Sequence, residues 1–479
     1  MFTSLAAAIM MASTLTAPAT AQPLPWCPQI PGHQVECGTI TRPLVAGRPK
    51  LGTTPVGYAL VRRSALDRPA SGTILGVPGG PGLSSISLTG FFAGLTGSLL
   101  DRHDLLLVDP RGVGASGPLS CGAEPLSLLK SREWLIDVVG RCGKRLGARA
   151  AGYTSAATAD DLDAVRKRLG VGRVDLVGGS YGSYLMQVYA RRHPASVKSI
   201  VLSGVLPEDL DVLQRPSAKA VPGVLRAICR RSGSCDGDAT VRDLRTFAAK
   251  LRRQPVVLDN KVTFTEDKLA GLLFQNASAG VGGRPGARTL LGRFPAILRD
   301  AARGDYARLT EAVGETERGP SSFTEALSMA IACNDFPAAW SKSAPMPRRV
   351  KQLKAALAAQ GDGAVLSPEA AASARYAFGD FCLGWPRTRD GGQAADGALP
   401  DVPVLVLNGD LDANTPSSDA RKVSARFRRA IFVSVPNTGH LPFVEPSGCV
   451  RGMIAAFVTS GGPGPLTCLS GIPPISVDR

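Results

Sequence analysis

The feature that most constrains this chain is the run Val174-Asp175-Leu176-Val177, followed at once by Gly178-Gly179-Ser180-Tyr181-Gly182. A short apolar strand here meets a serine fenced by glycines, and a helix-like stretch, Tyr184 to Arg192, follows. A strand that turns into a helix over so few residues must bend sharply and carry the serine hydroxyl at the apex. Glycines at the flanking positions leave room for neighbouring backbone inside that bend. The N-terminus of the following helix adds partial positive charge where an oxyanion would develop. Ser180 is therefore the candidate nucleophile.

The same grammar repeats along the chain. Gly72 to Val77, Asp104 to Asp109, Val174 to Gly178, Val197 to Ser203, Val402 to Asn408 and Ala430 to Val435 are short runs rich in Val, Ile and Leu. Amphipathic stretches lie between them, such as Ala159 to Leu169, with Leu162, Val165 and Leu169 on one face. Alternating strands and helices predict an α/β fold with a mostly parallel sheet covered on both sides. Two earlier segments, Glu36 to Leu44 and Val56 to Arg63, read as antiparallel edge strands. Between about Pro207 and Pro400 the alternation stops, and helical patches such as Val241 to Leu251 and Ala287 to Ala302 take over. The expected organisation is a core over 22–206, a mainly helical cap insertion over 207–400, and the rest of the core over 401–479. A chain of 479 residues accommodates that arrangement in one catalytic domain.

Residues 1–21 read as an export signal, with Leu5 to Met11 as a short apolar centre and Ala19-Thr20-Ala21 as the cleavage site. That run is too short to span a bilayer, so no membrane span is expected. The ten cysteines fall in close pairs: Cys27 with Cys37, Cys121 with Cys142, Cys229 with Cys235 and Cys449 with Cys468, leaving Cys333 and Cys382. In an oxidising compartment this spacing suggests local disulfides, although connectivity does not follow from sequence. No pair has CxxC spacing and only four histidines are present, which argues against zinc; neither a metal nor an organic cofactor is expected. The net charge of +16 is dispersed, without the aromatic interleaving of a nucleic-acid binder, so no nucleic-acid partner is expected.

A serine hydroxyl needs a base. His33, His103 and His193 each have an adequate local role, His193 closing the helix after the nucleophile. His440, in Pro436-Asn437-Thr438-Gly439-His440, instead follows a late strand on the side where parallel sheets bind ligands. An acid should precede it in the chain, and Gly409-Asp410-Leu411-Asp412 offers two carboxylates that satisfy this order equally. The loop Pro78-Gly79-Gly80-Pro81-Gly82 follows another strand, and its glycines let backbone N–H groups approach a substrate oxygen. The oxyanion donors are assigned to Gly80 and Tyr181.

These residues resemble the secreted α/β-hydrolase peptidases of the prolyl aminopeptidase and tripeptidyl aminopeptidase group. The resemblance rests on Pro78 to Gly82, Asp109-Pro110-Arg111-Gly112, Gly178 to Gly182, Gly409 to Asp412 and Gly439-His440. It extends to Cys333-Asn334-Asp335 and Cys382 to Pro386, covering most of the mature chain. It implies an α/β-hydrolase fold and places the acid at the last residue of GxxD, Asp412. It also implies cleavage of residues or short peptides from a free N-terminus, with cap carboxylates holding the substrate ammonium. Asp335 is the candidate for that contact, and Arg111 is expected to be a structural ion-pair residue. Prolyl members usually carry histidine where Pro78 stands, so this loop looks more like the tripeptidyl branch. Two alternatives remain: a secreted carboxylesterase or lipase using the same triad, and a non-catalytic binding protein on this fold.

Overall fold

A computed structural model describes residues 24–122, 130–278, 282, 288–316, 323–361, 365–375, 377–387 and 397–479. The expected export signal over 1–21 lies outside the described residues.

The strands are β1 (Val35–Pro43), β2 (Thr53–Val61), β3 (Gly72–Val77), β4 (His103–Val108), β5 (Val174–Gly179) and β6 (Val197–Ser203). A two-residue-per-strand hairpin, β7 (Val256–Val257) and β8 (Thr263–Phe264), precedes β9 (Val404–Gly409) and β10 (Ala430–Val435). Eight of them form one sheet in the order β1-β2-β4-β3-β5-β6-β9-β10. Only β1 with β2 and β2 with β4 pair antiparallel; every other neighbour in that sheet is parallel. All residues of β4, β5 and β9 are buried, which explains why these strands read as unbroken apolar runs. β1 alternates between partly buried and exposed positions, the pattern of an edge strand.

Helices cover both faces. On one, Ser155–Arg168 and Tyr181–Arg192 bury Leu162, Val165, Leu185 and Met186 against Leu75, Leu106 and Leu176. On the other, Thr89–Thr96 and Cys449–Ser460 bring Phe92, Leu95, Ile454 and Phe457 against Ile74, Val201 and Leu405. The chain between β6 and β9 is mainly helical. Its first helices, including Arg215–Ser232, Gly237–Arg253 and Leu290–Arg303, form a separate hydrophobic cluster around Phe247, Phe264, Phe274 and Phe294. Its later helix, Glu325–Asp335, packs instead into the sheet-face cluster through Leu327, Met329 and Ile331.

All ten cysteines are paired: Cys27–Cys37, Cys121–Cys142, Cys229–Cys235, Cys333–Cys382 and Cys449–Cys468. Four bonds are local staples, and the fifth spans 49 residues of the helical insertion. Among the described residues no helix is long and apolar enough to cross a membrane.

Strand order positions the site. β3 leads outward to β4, whereas β5 lies on the other side of β3, so the winding reverses between β3 and β5. Ligands in open parallel sheets bind at the carboxyl ends of the strands beside such a switch. Val77 is in register with Gly178, which delivers the Pro78–Gly82 loop and Ser180 side by side. Gly409 is likewise in register with Val435, so the loops carrying Asp412 and His440 leave the sheet together.

Candidate active site

Ser180 sits at φ 55° and ψ −126°, a left-handed conformation that a residue with a side chain rarely adopts. The helix behind it begins at Tyr181, three residues before the start expected from sequence, because the elbow needs no intervening loop. Side chains on the flanking glycines would block this bend: a Cβ on Gly178 would meet the Gly182 carbonyl, and one on Gly182 would meet the Val77 carbonyl. Strain is thereby stored at the nucleophile and held by packing on every side.

His440 Nε2 lies 2.8 Å from Ser180 Oγ, and its Nδ1 lies 3.1 Å from Asp412 Oδ2. Asp412 is 3% exposed and His440 8%, so this chain of bonds is shielded from water. A carboxylate oxygen only accepts, so the ring proton belongs on Nδ1 and the Nε2 lone pair faces the serine hydroxyl. Asp412 is itself fixed in place. Its Oδ1 accepts from the N–H groups of Asn414 at 2.8 Å and Thr415 at 3.0 Å. Its Oδ2 accepts from Thr415 Oγ1 at 2.8 Å, and that hydroxyl also stands 3.1 Å from His440 Nδ1. Sequence reading missed Thr415, although its place three residues after an aspartate is a common setting for such a local bond.

Asp410, the competing carboxylate, is turned away from His440. It accepts from Asn437 N–H at 2.9 Å and is held by both terminal nitrogens of Arg231. The other histidines serve their own surroundings. His33 Nδ1 faces the Arg62 carbonyl, His103 Nδ1 the Leu99 carbonyl, and His193 Nε2 the Asp160 carboxylate. Arg111 is buried and grips Asp161 through two bonds of 2.8 Å while also donating to the Leu44 and Gly152 carbonyls. It forms a buried ion pair and is not among the residues that line the cavity of Ser180 and His440.

Gly80 and Tyr181 both line the cavity that holds Ser180 and His440. Both flank the nucleophile, where an oxyanion hole needs its donors. Gly79 presses against the nucleophile: a Cβ there would come within 2.8 Å of Ser180 Cβ. The loop is tied to the helical insertion, since Thr324 N–H donates to the Gly82 carbonyl at 2.8 Å and Leu83 bridges Phe323.

The cavity measures about 800 Å³. Its apolar wall includes Leu119, Leu206, Phe323, Phe336 and Phe378, and its charged members are Glu325 and Arg375. Asp335, the candidate substrate-amine contact, is not among the residues that line this cavity. It is 4% exposed, and its Oδ2 accepts from Ser155 N–H at 2.6 Å, at the start of the helix Ser155–Arg168. Burial raises this carboxyl to about 6, opposed by its bonds to Ser155. Ser155 Oγ in turn meets the Tyr181 hydroxyl at 2.8 Å, so Asp335 braces the elbow from behind. A helical period of four separates Glu325 from Met329 on the same helix, but nothing in the sequence says which end faces the cavity. Glu325 is the acidic residue that sequence reading overlooked. Among the described residues no group of His, Cys, Asp and Glu has the arrangement of a metal centre.

The alpha/beta hydrolase fold family matches residues 72–234, spanning the elbow, and the TAP-like protein family matches residues 367–465, spanning Asp412 and His440. The chain is a serine hydrolase of the α/β-hydrolase fold. It is 25% identical over 433 residues to the putative hydrolase YuaR of Escherichia coli, covering 84% of this chain and 81% of that one. Over 224 residues it is 30% identical to the serine protease Hip1 of Mycobacterium tuberculosis, covering 41% of this chain and 42% of that one. Over 191 residues it is 26% identical to the tripeptidyl aminopeptidase of Streptomyces lividans, covering 36% and 35% respectively. The chain thus spans under half the length of the two peptidases it matches.

Proposed function

We propose that this protein is an exported serine peptidase that releases residues or short peptides from the free N-terminus of peptides. The observation that carries the reading is the Ser180–His440–Asp412 chain of bonds at the floor of a cavity whose acidic lining residue is Glu325. In this scheme His440 takes the Ser180 proton through Nε2 as Oγ attacks the scissile carbonyl. Asp412 holds the ring in its Nδ1–H tautomer and stabilises the imidazolium that forms. The N–H groups of Gly80 and Tyr181 receive the developing oxyanion. His440 then returns the proton to the leaving amine, and water enters by the same route to hydrolyse the acyl-enzyme.

Residues 207–400 act as a cap over the mouth of the site, and Glu325 takes the place of Asp335 as partner of the substrate ammonium. A carboxylate and a guanidinium on one mostly apolar wall suit a short peptide better than a neutral ester. Export is supported by the five disulfides, which persist in oxidising compartments. The peptidase names of the relatives support the same reaction class.

The decisive experiment is turnover of prolyl, alanyl and tripeptidyl amides with free amines, beside N-blocked versions and simple esters, with Ser180→Ala as control. Turnover limited to free-amine amides and lost in Ser180→Ala is the expected result. Turnover of esters alone would replace the peptidase with an esterase.

A further inference from the structure

Two residues of the helical insertion, Ser278 through its side chain and its backbone carbonyl and Arg231 through its side chain, each bond the loop that carries the acid and the loop that carries the base. Ser278 is 1% exposed and follows the distorted helical turn Leu272–Asn276. Its Oγ accepts from the N–H of Ala413, directly after Asp412, at 3.0 Å. Its carbonyl accepts from the N–H of His440 itself at 2.9 Å. Arg231, near the end of the helix Arg215–Ser232, makes a second such bridge. It donates to Asp410 at 3.1 Å and 2.6 Å and to Asn437 Oδ1 at 3.0 Å.

Packing points the same way. Leu411 and Ala413, on either side of Asp412, are buried in the insertion's own hydrophobic cluster rather than in either sheet-face cluster. The sheet brings the strand ends together at Gly409 and Val435, but the loops beyond those points are held from above.

We propose that Ser278 and Arg231 are positioning residues that set the distance between Asp412 and His440, so that seating of the insertion governs the reactivity of Ser180. Neither residue touches the reacting atoms in this scheme. A backbone shift of about 1 Å at a catalytic loop can cost on the order of a hundredfold in rate, so a lost anchor should show in chemistry before it shows in binding. Ser278→Ala removes the Oγ bridge while keeping the carbonyl bond. Arg231→Met removes a bridge at a partly exposed site, where loss of folding is not a concern.

The test measures kcat and KM on the best substrate together with the rate of Ser180 labelling by a fluorophosphonate. Labelling needs only an activated serine and no particular substrate, which separates this proposal from the peptidase reading on which its kinetic arm rests. The expected result is a fall in kcat and in labelling rate of about tenfold for Ser278→Ala and several-fold for Arg231→Met, with KM within about twofold. Unchanged labelling in both variants would overturn the proposal, as would a rise in KM at constant kcat. If Ser278→Ala fails to fold, Arg231→Met and its rescue by Arg231→Lys decide the matter. Turnover of esters alone with slowed labelling in the variants would sink the peptidase reading and leave this proposal standing.

Discussion

The sheet and the helical insertion solve the same problem, positioning three side chains, by different means. In the sheet, position follows from register. Ser180 and the Gly80 loop stand together because β5 and β3 are neighbours with matched ends. In the insertion, position follows from single bonds that reach across sequence: the side chains of Ser278 to residue 413 and of Arg231 to 410 and 437, and the backbone of Ser278 to 440 and of Thr324 to 82. A sheet places its loops by backbone pairing that any apolar strand can supply. An insertion places them in part by particular side chains, Ser278 and Arg231, each of which one substitution can remove.

The largest effect should come from the acid that the two regions hold between them. Asp412→Asn keeps the size of the side chain but favours the wrong histidine tautomer, and kcat should fall about 10⁴-fold, as in other triads. Thermal unfolding should barely move, since the substitution leaves both hydrophobic clusters intact; a matched loss of stability would blur the contrast between the regions.

Next in size is the disulfide contrast inside the insertion. Cys333–Cys382 closes 49 residues and Cys229–Cys235 only 6. Loop-closure entropy then assigns about 4 kcal/mol to the first and about 2 kcal/mol to the second. Paired Cys→Ala variants compared by chemical denaturation should keep that order, and a reversed order would mean that native packing outweighs chain entropy.

Asp335 offers a pH test at the seam between the regions. Its carboxyl is raised from 3.8 to about 6, so the native state binds the proton more tightly than the unfolded chain does. Stability should therefore fall as pH rises from about 4 to about 6 and level off above that. The size is on the order of 3 kcal/mol, because each tenfold gain in proton affinity is worth about 1.4 kcal/mol. Asp335→Asn should flatten this part of the profile in denaturation midpoints measured at about pH 4.5 and about pH 7.

The smallest effect is expected at Glu325. Glu325→Gln should raise KM for free-amine substrates about tenfold, the worth of one charge-assisted bond, and leave N-blocked substrates and esters within about twofold. Equal losses on both substrate classes would move the ammonium contact elsewhere in the insertion.

The two regions also differ in how far they could be read in advance. Every strand of the main sheet is visible in the sequence, and observed limits differ from expected ones by about three residues or fewer. The unbroken Val, Ile and Leu of the central strands are a local property, whereas β2, expected at the edge, lies between β1 and β4. Helices of the insertion are visible for the same reason: Val241 to Leu251 lies within Gly237–Arg253. Their placement is not, because an amphipathic face says that a helix is buried without saying against what. Asp335 illustrates this. Its motif stands out in the sequence, but a carboxylate at the end of a helix can face a cavity or cap a neighbouring helix, and here Ser155 N–H claims it.

The sequence by itself determined the elbow at Ser180, the order of nucleophile, acid and base, and the close spacing of the cysteines. Each depends on neighbours a few residues away or on chain order alone. Tertiary structure decided between Asp410 and Asp412 in space, turning one toward Arg231 and the other toward His440. It also decided that Glu325 meets the cavity and Asp335 does not. Those outcomes depend on bonds between residues up to 180 positions apart, and their partners are chosen by how the insertion seats on the sheet.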